Sequence, residues 1–204
     1  TVTKIGVPLN AFLSTPLWSP DGTRFALTNT TADGIGLYVG SLNSPALRRV
    51  PQVRINDTLG SSVQWFAGSS RLLVKIVPPA RGKPPVRPAV PAGPNVQEGS
   101  GASGPVRTYQ DLLKDPHDEA LFDYYFTAQL ASVDFGTLQA APIGKPAIFV
   151  QVNPAPDGKH LLVTTVRRPY SYLHPFSMFP REIEVWNTAG AVVRKVASKP
   201  LADN

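Results

Sequence analysis

The sequence predicts an all-β fold: a partial β-propeller of about three four-stranded antiparallel blades, with a Pro-rich loop and short helices inserted in the second blade. Three observations predict it. First, one phrase occurs twice. Pro16-Leu17-Trp18-Ser19-Pro20-Asp21-Gly22-Thr23-Arg24-Phe25-Ala26-Leu27 leads into Leu37-Tyr38-Val39, and Asn153-Pro154-Ala155-Pro156-Asp157-Gly158-Lys159-His160-Leu161-Leu162-Val163 leads into Ile183-Glu184-Val185-Trp186. Each copy is a turn signal, an apolar run of strand length, a polar gap and a second apolar run. Pro presets φ, Asp bonds its own backbone and Gly takes positive φ. Second, the two Asp-Gly turns lie 136 residues apart, which is three periods of about 45 residues, the repeat length of propeller blades. Third, a weaker copy sits one period in, at Val63-Gln64-Trp65-Phe66-Ala67-Gly68-Ser69-Ser70-Arg71-Leu72-Leu73-Val74, with Trp65 standing 47 residues after Trp18.

The elements follow in order. Residues 1–15 read as a lead-in strand and loop. The first blade occupies about 16–50: a strand over Arg24 to Asn29, a hairpin turn over Asn29 to Gly34, a returning strand over Ile35 to Val39, and an outer strand over Leu47 to Val50. The second blade occupies about 62–144, with strands at 63–67 and 71–77. It is interrupted by an insertion at 78–124. Pro78, Pro79, Pro84, Pro85, Pro88, Pro91 and Pro94 fit neither sheet nor helix, so 78–105 reads as an extended linker, and its basic residues Arg81, Lys83 and Arg87 as solvated surface. Thr108-Tyr109-Gln110-Asp111 is a capping pattern, and Asp115-Pro116-His117-Asp118 offers an N-cap with proline in the first turn. Two short helices are therefore expected over 108–125, with strand resuming at Tyr125. The third blade occupies about 147–197, with a second insertion at 167–181 at the equivalent point of its blade. Equivalent hairpins open on one face, so both insertions are expected at the same rim.

Composition narrows function. Hydrophobic residues make up 42%, and Pro (22) and Gly (16) suit short strands joined by turns. With no Cys there is neither a disulfide framework nor a thiolate metal site. No run of 18 apolar residues suggests a membrane span. The net charge of +6 is scattered in pairs (Arg48-Arg49, Arg167-Arg168, Arg194-Lys195), not massed in a stripe with stacking aromatics. No nucleic-acid partner is expected on that ground.

Catalytic and cofactor motifs are weak. Gly99-Ser100-Gly101-Ala102-Ser103-Gly104 matches G-x-G-x-x-G in letters, but a Pro-rich loop precedes it and Pro105 follows, where a dinucleotide site needs a strand and a helix. Gly101-Ala102-Ser103-Gly104-Pro105 fails the nucleophile elbow at its last glycine. His117, His160 and His174 form no metal spacing. No cofactor, metal or catalytic triad is expected. The most informative stretch is 167–181, which places Arg167, Arg168, Arg181, Tyr170 and Tyr172 with Phe176 and Phe179 on a loop. Arginines beside planar aromatics suit carboxylate and peptide groups. The competing reading is that the aromatics pack the loop down and the arginines pair with acids.

Pro91-Ala92-Gly93-Pro94-Asn95-Val96-Gln97-Glu98, Pro105-Val106-Arg107-Thr108-Tyr109-Gln110-Asp111-Leu112-Leu113 and Asp118-Glu119-Ala120-Leu121-Phe122-Asp123-Tyr124-Tyr125 make up one set of long strings. Leu162-Val163-Thr164-Thr165-Val166-Arg167-Arg168-Pro169-Tyr170-Ser171-Tyr172, Phe179-Pro180-Arg181 and Glu184-Val185-Trp186 make up another. Together they resemble the prolyl oligopeptidase family of serine peptidases, in its glutamyl endopeptidase branch. The resemblance implies an N-terminal propeller paired with a C-terminal α/β-hydrolase domain, access limited to peptides, and cleavage after Glu or Asp. It implies export in bacteria and plastid location in plants, hence a periplasmic or secreted protein if bacterial. The partners it implies are a peptide substrate and the hydrolase domain, which these residues do not contain. The chain opens Thr1-Val2-Thr3 without Met and is expected to be a propeller fragment, inactive by itself. In that reading Arg167, Arg168, Tyr170, Tyr172 and Arg181 contact an acidic peptide or the partner domain. The alternative is a non-enzymatic propeller scaffold, WD-repeat or TolB-like, since Val185-Trp186-Asn187 resembles the end of a WD repeat. A third reading has copies of a three-blade module self-associating through exposed edges.

Overall fold

A computed structural model describes residues 5–88 and 112–202. Among them, ten of twelve strands make one antiparallel hydrogen-bonded path and two short strands pair beside it, the whole folded into three stacked blades. In the first blade, β1 (Phe12–Leu13) and β2 (Leu17–Trp18) both pair with β3 (Arg24–Thr31), which is followed by β4 (Gly34–Ser41) and β5 (Ser44–Ile55). β5 continues past residue 50, because Val53 and Ile55 are buried in the same inter-blade core as Val50. The second blade comprises β6 (Val63–Trp65), β7 (Arg71–Ile76), β8 (Thr127–Asp134) and the first half of β9 (Ala140–Pro154). β9 then becomes the inner strand of the third blade without a break, pairing with β10 (His160–Val166), followed by β11 (Arg181–Asn187) and β12 (Val192–Lys199). The chain is thus a partial propeller whose sheet is not closed among the described residues.

The repeated phrases fold as equivalent parts. Trp18 faces Phe25 across β2–β3, and Trp65 faces Leu72 across β6–β7. Trp65 is buried, and its Nε1–H donates to the Leu17 carbonyl at 3.0 Å, tying blade two to blade one. Trp18 is 50% exposed, because no blade lies on its other side among the described residues.

The blades stack through two cores. On β7, Leu72, Val74 and Ile76 face blade one, packing with Leu37, Val39 and Val50. Leu73, on the opposite face, joins Phe149, Leu161, Val163 and Trp186 of blade three. Burial on both faces explains why Leu72–Ile76 carries no exposed polar alternation.

Lys75 breaks that run. It is buried at 5% exposure, and its Nζ donates to the Leu59 carbonyl. Burial pulls its ammonium down to about 8, with Asp57 opposing in part. Between pH 8 and 10.5 the unfolded chain holds this proton and the folded chain does not, so stability rises with pH across that window. A gain of about 2 kcal/mol is expected after allowance for residual solvent screening. Urea unfolding from pH 7 to 10.5 checks it, and Lys75→Met should flatten the rise. An equal rise in the Met variant would assign it to other groups.

The first insertion departs from expectation in where strand resumes and in how its basic residues are placed. Residues 78–124 enter between β7 and β8, and among the described residues they hold one helix, the second of the two expected: α1, Pro116–Phe126, capped by Asp115, whose side chain accepts the Asp118 N–H. Leu112–Asp115 is not helical, and the capping pattern at Thr108–Asp111 lies outside the described residues, as do Gly99–Gly104, Ser103 and the strings from Pro91 to Asp111. Strand resumes at Thr127, after Tyr125, because Phe122 and Phe126, one turn apart on α1, pack together at 4.6 Å. The basic start of the loop is only partly solvated. Arg81 lies over the Tyr124 ring at 4.2 Å, and Arg87 pairs with Asp115 at 2.8 Å, while Lys83 is exposed.

Candidate functional site

The two insertions meet on one rim, as their equivalent positions in adjacent blades require. Helix α1 is short for an independent helix. It forms because Asp115 caps its free N–H groups, Asp118 and Glu119 complement its first turn, and its apolar side docks. The partner is the loop 167–180, which carries a 3-10 turn at Phe176–Met178. Phe122 sits at the centre. It meets Tyr170 edge-on at 5.0 Å, Phe176 at 5.8 Å and Phe179 edge-on at 5.9 Å, while Tyr170 stacks on Phe179 at 5.3 Å. Ile148 and Val166 extend this cluster into the third blade.

A polar layer lies beside it. Glu119 and Asp123 stand four residues apart on one face of α1. Arg168 reaches both: Nη1 donates to Glu119 Oε2, and Nη2 to Asp123 Oδ2 at 2.6 Å. The guanidinium also lies over the Tyr170 ring at 4.5 Å, and the Tyr170 hydroxyl donates to Asp123 Oδ1. Glu119 also acts on the nearby Tyr172 phenol. Asp123, then Glu119, push the Arg168 guanidinium still higher above its usual range. Burial first, then the bond to Asp123, pushes the Tyr170 phenol up, and burial and Glu119 do the same for Tyr172. All three side chains therefore hold their protons at neutral pH. At the start of the helix, the Asp118 N–H holds the Asp115 carboxyl below the usual range, and Arg87 adds to this.

The five residues singled out in the sequence thus separate. Arg168, Tyr170 and Tyr172 converge on Glu119 and Asp123. Arg181 stands apart: its Nη2 donates to the Ser177 carbonyl at 3.2 Å, and it lies over the Phe176 ring at 5.5 Å. Arg167 points elsewhere, to a cleft between blades two and three lined also by Lys145, Thr165 and Glu184. Consecutive residues of extended chain project to opposite sides, which parts Arg167 from Arg168. Glu119 and Asp123 were not singled out in the sequence, although acids at i and i+4 share one helix face.

An apolar pocket of about 470 Å³ opens on the same rim, lined by Leu113, Leu121, Phe122, Phe126 and Phe176. Asp157 Oδ2 and His160 Nδ1 are 2.6 Å apart, but the pair is solvent-exposed, and Asp157 also accepts the backbone N–H of Lys159 and His160. Those bonds, led by His160, hold Asp157 down at about 2. The pair closes a turn. Among the described residues no group of three or more His, Asp or Glu could hold a metal ion, and no helix is long and apolar enough to cross a membrane.

No family model matches the chain. It is 36% identical, over 98% of its length, to a protein of Oryza sativa described as a probable glutamyl endopeptidase, chloroplastic, of which it covers 22%. The Arabidopsis thaliana protein of the same description is also 36% identical over 98% of the chain, which covers 21% of it. The chain therefore spans about a fifth of the length of these curated relatives. Among solved structures, 93% of the chain matches an acylaminoacyl peptidase in complex with Z-Gly-Gly-Phe-chloromethyl ketone, with TM-score 0.54, 14% identity and 25% of that chain covered. The β-propeller domain of the Trilobed protease from Pyrococcus furiosus matches 93% of the chain with TM-score 0.52 and 12% identity, over 43% of its own length. At these identities the structures show the fold.

Proposed function

We propose that the chain belongs to the prolyl oligopeptidase family, in its glutamyl endopeptidase branch, and that it is the access-controlling propeller segment of a serine peptidase cleaving after acidic residues. One observation carries the reading. Two insertions from adjacent blades lock over a single rim, and the lock presents Arg168, Tyr170 and Tyr172 together. Loops held on a rigid scaffold are where a propeller places its contacts. In this reading the rim faces the catalytic domain and the peptide. Arg168 shares its charge with Glu119 and Asp123 on one side. Its outer edge and Tyr172 bear on the substrate or the partner domain, with Arg181 flanking, while Arg167 faces the separate cleft between blades two and three. The nucleophile, base and oxyanion hole come from the catalytic domain. Purified as these 204 residues, the chain should hydrolyse no glutamyl peptide.

In the full-length peptidase, Arg168→Glu is expected to raise KM for glutamyl peptides about tenfold with kcat little changed, because charge reversal removes binding rather than chemistry. The melting temperature, read in parallel, separates this from simple unfolding. An unchanged KM in a variant that retains its fold would sink the site assignment.

A further inference from the structure

The cleft between blades two and three, of about 470 Å³, lies outside the rim. Its walls are the β9 segment of blade two on one side and β10, β11 and the Gly190 hairpin of blade three on the other. Lys145 and Arg167 line it, and both are exposed. Neither side chain makes an ion pair or hydrogen bond among the described residues. The acids nearby are already engaged. Glu184 Oε2 accepts the Trp186 indole N–H at 2.9 Å, and Glu182 takes Lys195 at 2.7 Å and the Ser198 hydroxyl at 2.7 Å. At the back, Thr165 is 1% exposed, and its hydroxyl is buried without a partner. A buried hydroxyl without a partner is costly. A ligand oxygen in the cleft would satisfy it.

We propose that this cleft is a binding site for the carboxylate of an acidic peptide side chain, held by Lys145 and Arg167 at the mouth and Thr165 at the back. The Trp186 ring and Val192 offer an apolar wall for the methylene stem, which favours a glutamyl side chain over a bare inorganic anion. Lys145 and Arg167 against Glu184, the one acid among the lining residues, leave the lining with net positive charge. The proposal rests on the reading that the chain handles acidic peptides, but it places a second contact away from the rim. Peptides held there would be retained by the propeller independently of Arg168.

The test is a titration of the 204-residue chain, labelled with 15N, with blocked Ala-Glu-Ala peptide, its Ala-Gln-Ala counterpart and inorganic phosphate. Three indole N–H signals report, from Trp18, Trp65 and Trp186. The Glu peptide should shift the Trp186 signal saturably and leave the other two in place. The Gln peptide and phosphate should each bind at least tenfold more weakly. Combined Lys145→Ala and Arg167→Ala should abolish the shift, and Thr165→Val, close to isosteric, should weaken binding severalfold. No shift with the Glu peptide would overturn the proposal. Equal binding of Gln peptide or phosphate, or full binding by the double variant, would also overturn it. Because no hydrolysis is measured, failure here is distinct from failure of the peptidase reading, which the KM of Arg168→Glu tests.

Discussion

Gly190→Ala is expected to lower the unfolding free energy by about 3–5 kcal/mol, combining backbone strain with overpacking. A Cβ at residue 190 would stand 2.0 Å from the Gly144 nitrogen and 2.2 Å from its Cα. These are backbone atoms of the neighbouring blade and cannot rotate away. Residue 190 also has φ +84°, a region that L side chains rarely adopt. The hairpin between β11 and β12 therefore touches the outer strand of blade two glycine to glycine, and relief requires the blades to part. Parting them would expose Trp186, which lies against Gly144 and is buried in the core shared by the two blades. Gly158→Ala is the control. It has φ +66° but nothing within 4 Å of a built Cβ, so it should cost only about 1–2 kcal/mol. Urea midpoints of the two variants decide the matter. Equal losses would mean that backbone strain alone, and not blade contact, sets the cost at residue 190.

The parts of this fold legible in the sequence are those whose causes are local. Asp21 Oδ1 accepts the Thr23 N–H at 3.0 Å and Asp157 Oδ1 the Lys159 N–H at 2.8 Å, which is the Asx chemistry that marked both turns. The repeat also carries register, because equal spacing from those turns puts Trp18 opposite Phe25 and Trp65 opposite Leu72. The end of α1 was not legible. Tyr125 and Phe126 have strand propensity, and only packing of Phe126 on Phe122 and Phe176 keeps the helix running. The site was half legible. Arginines and tyrosines in one loop announced a recognition surface, but the carboxylates that engage Arg168 come from a helix 45 and 49 residues earlier in the chain. No local pattern encodes such a partner. The cleft was illegible for the same reason, since Lys145 meets Thr165 and Arg167 only when blade three closes on blade two.

Whether packing or charge holds the rim together is decided by comparing Phe122→Ala with Arg168→Ala. Phe122 is buried and touches four aromatic rings, three of them from the opposite insertion or its end. Truncation leaves a void between elements that share no backbone hydrogen-bond ladder, so about 3–4 kcal/mol should be lost. Arg168 is 52% exposed, and its two ion pairs sit in water on one side. Exposed pairs contribute about 1 kcal/mol or less, even when two carboxylates share the guanidinium. Phe122→Ala should also release α1 locally, since an 11-residue helix does not persist undocked. Amide exchange across Pro116–Phe126 should then quicken far more than exchange in β7 or β10. Arg168→Ala should leave that protection largely in place. The reverse order, with Arg168→Ala the more damaging and α1 protected in Phe122→Ala, would make the ion pairs the structural lock. The aromatic cluster would then be free to serve as the peptide-contacting surface. In the expected order the aromatics hold the rim, and Arg168 and Tyr172 are left at its edge to meet an incoming chain.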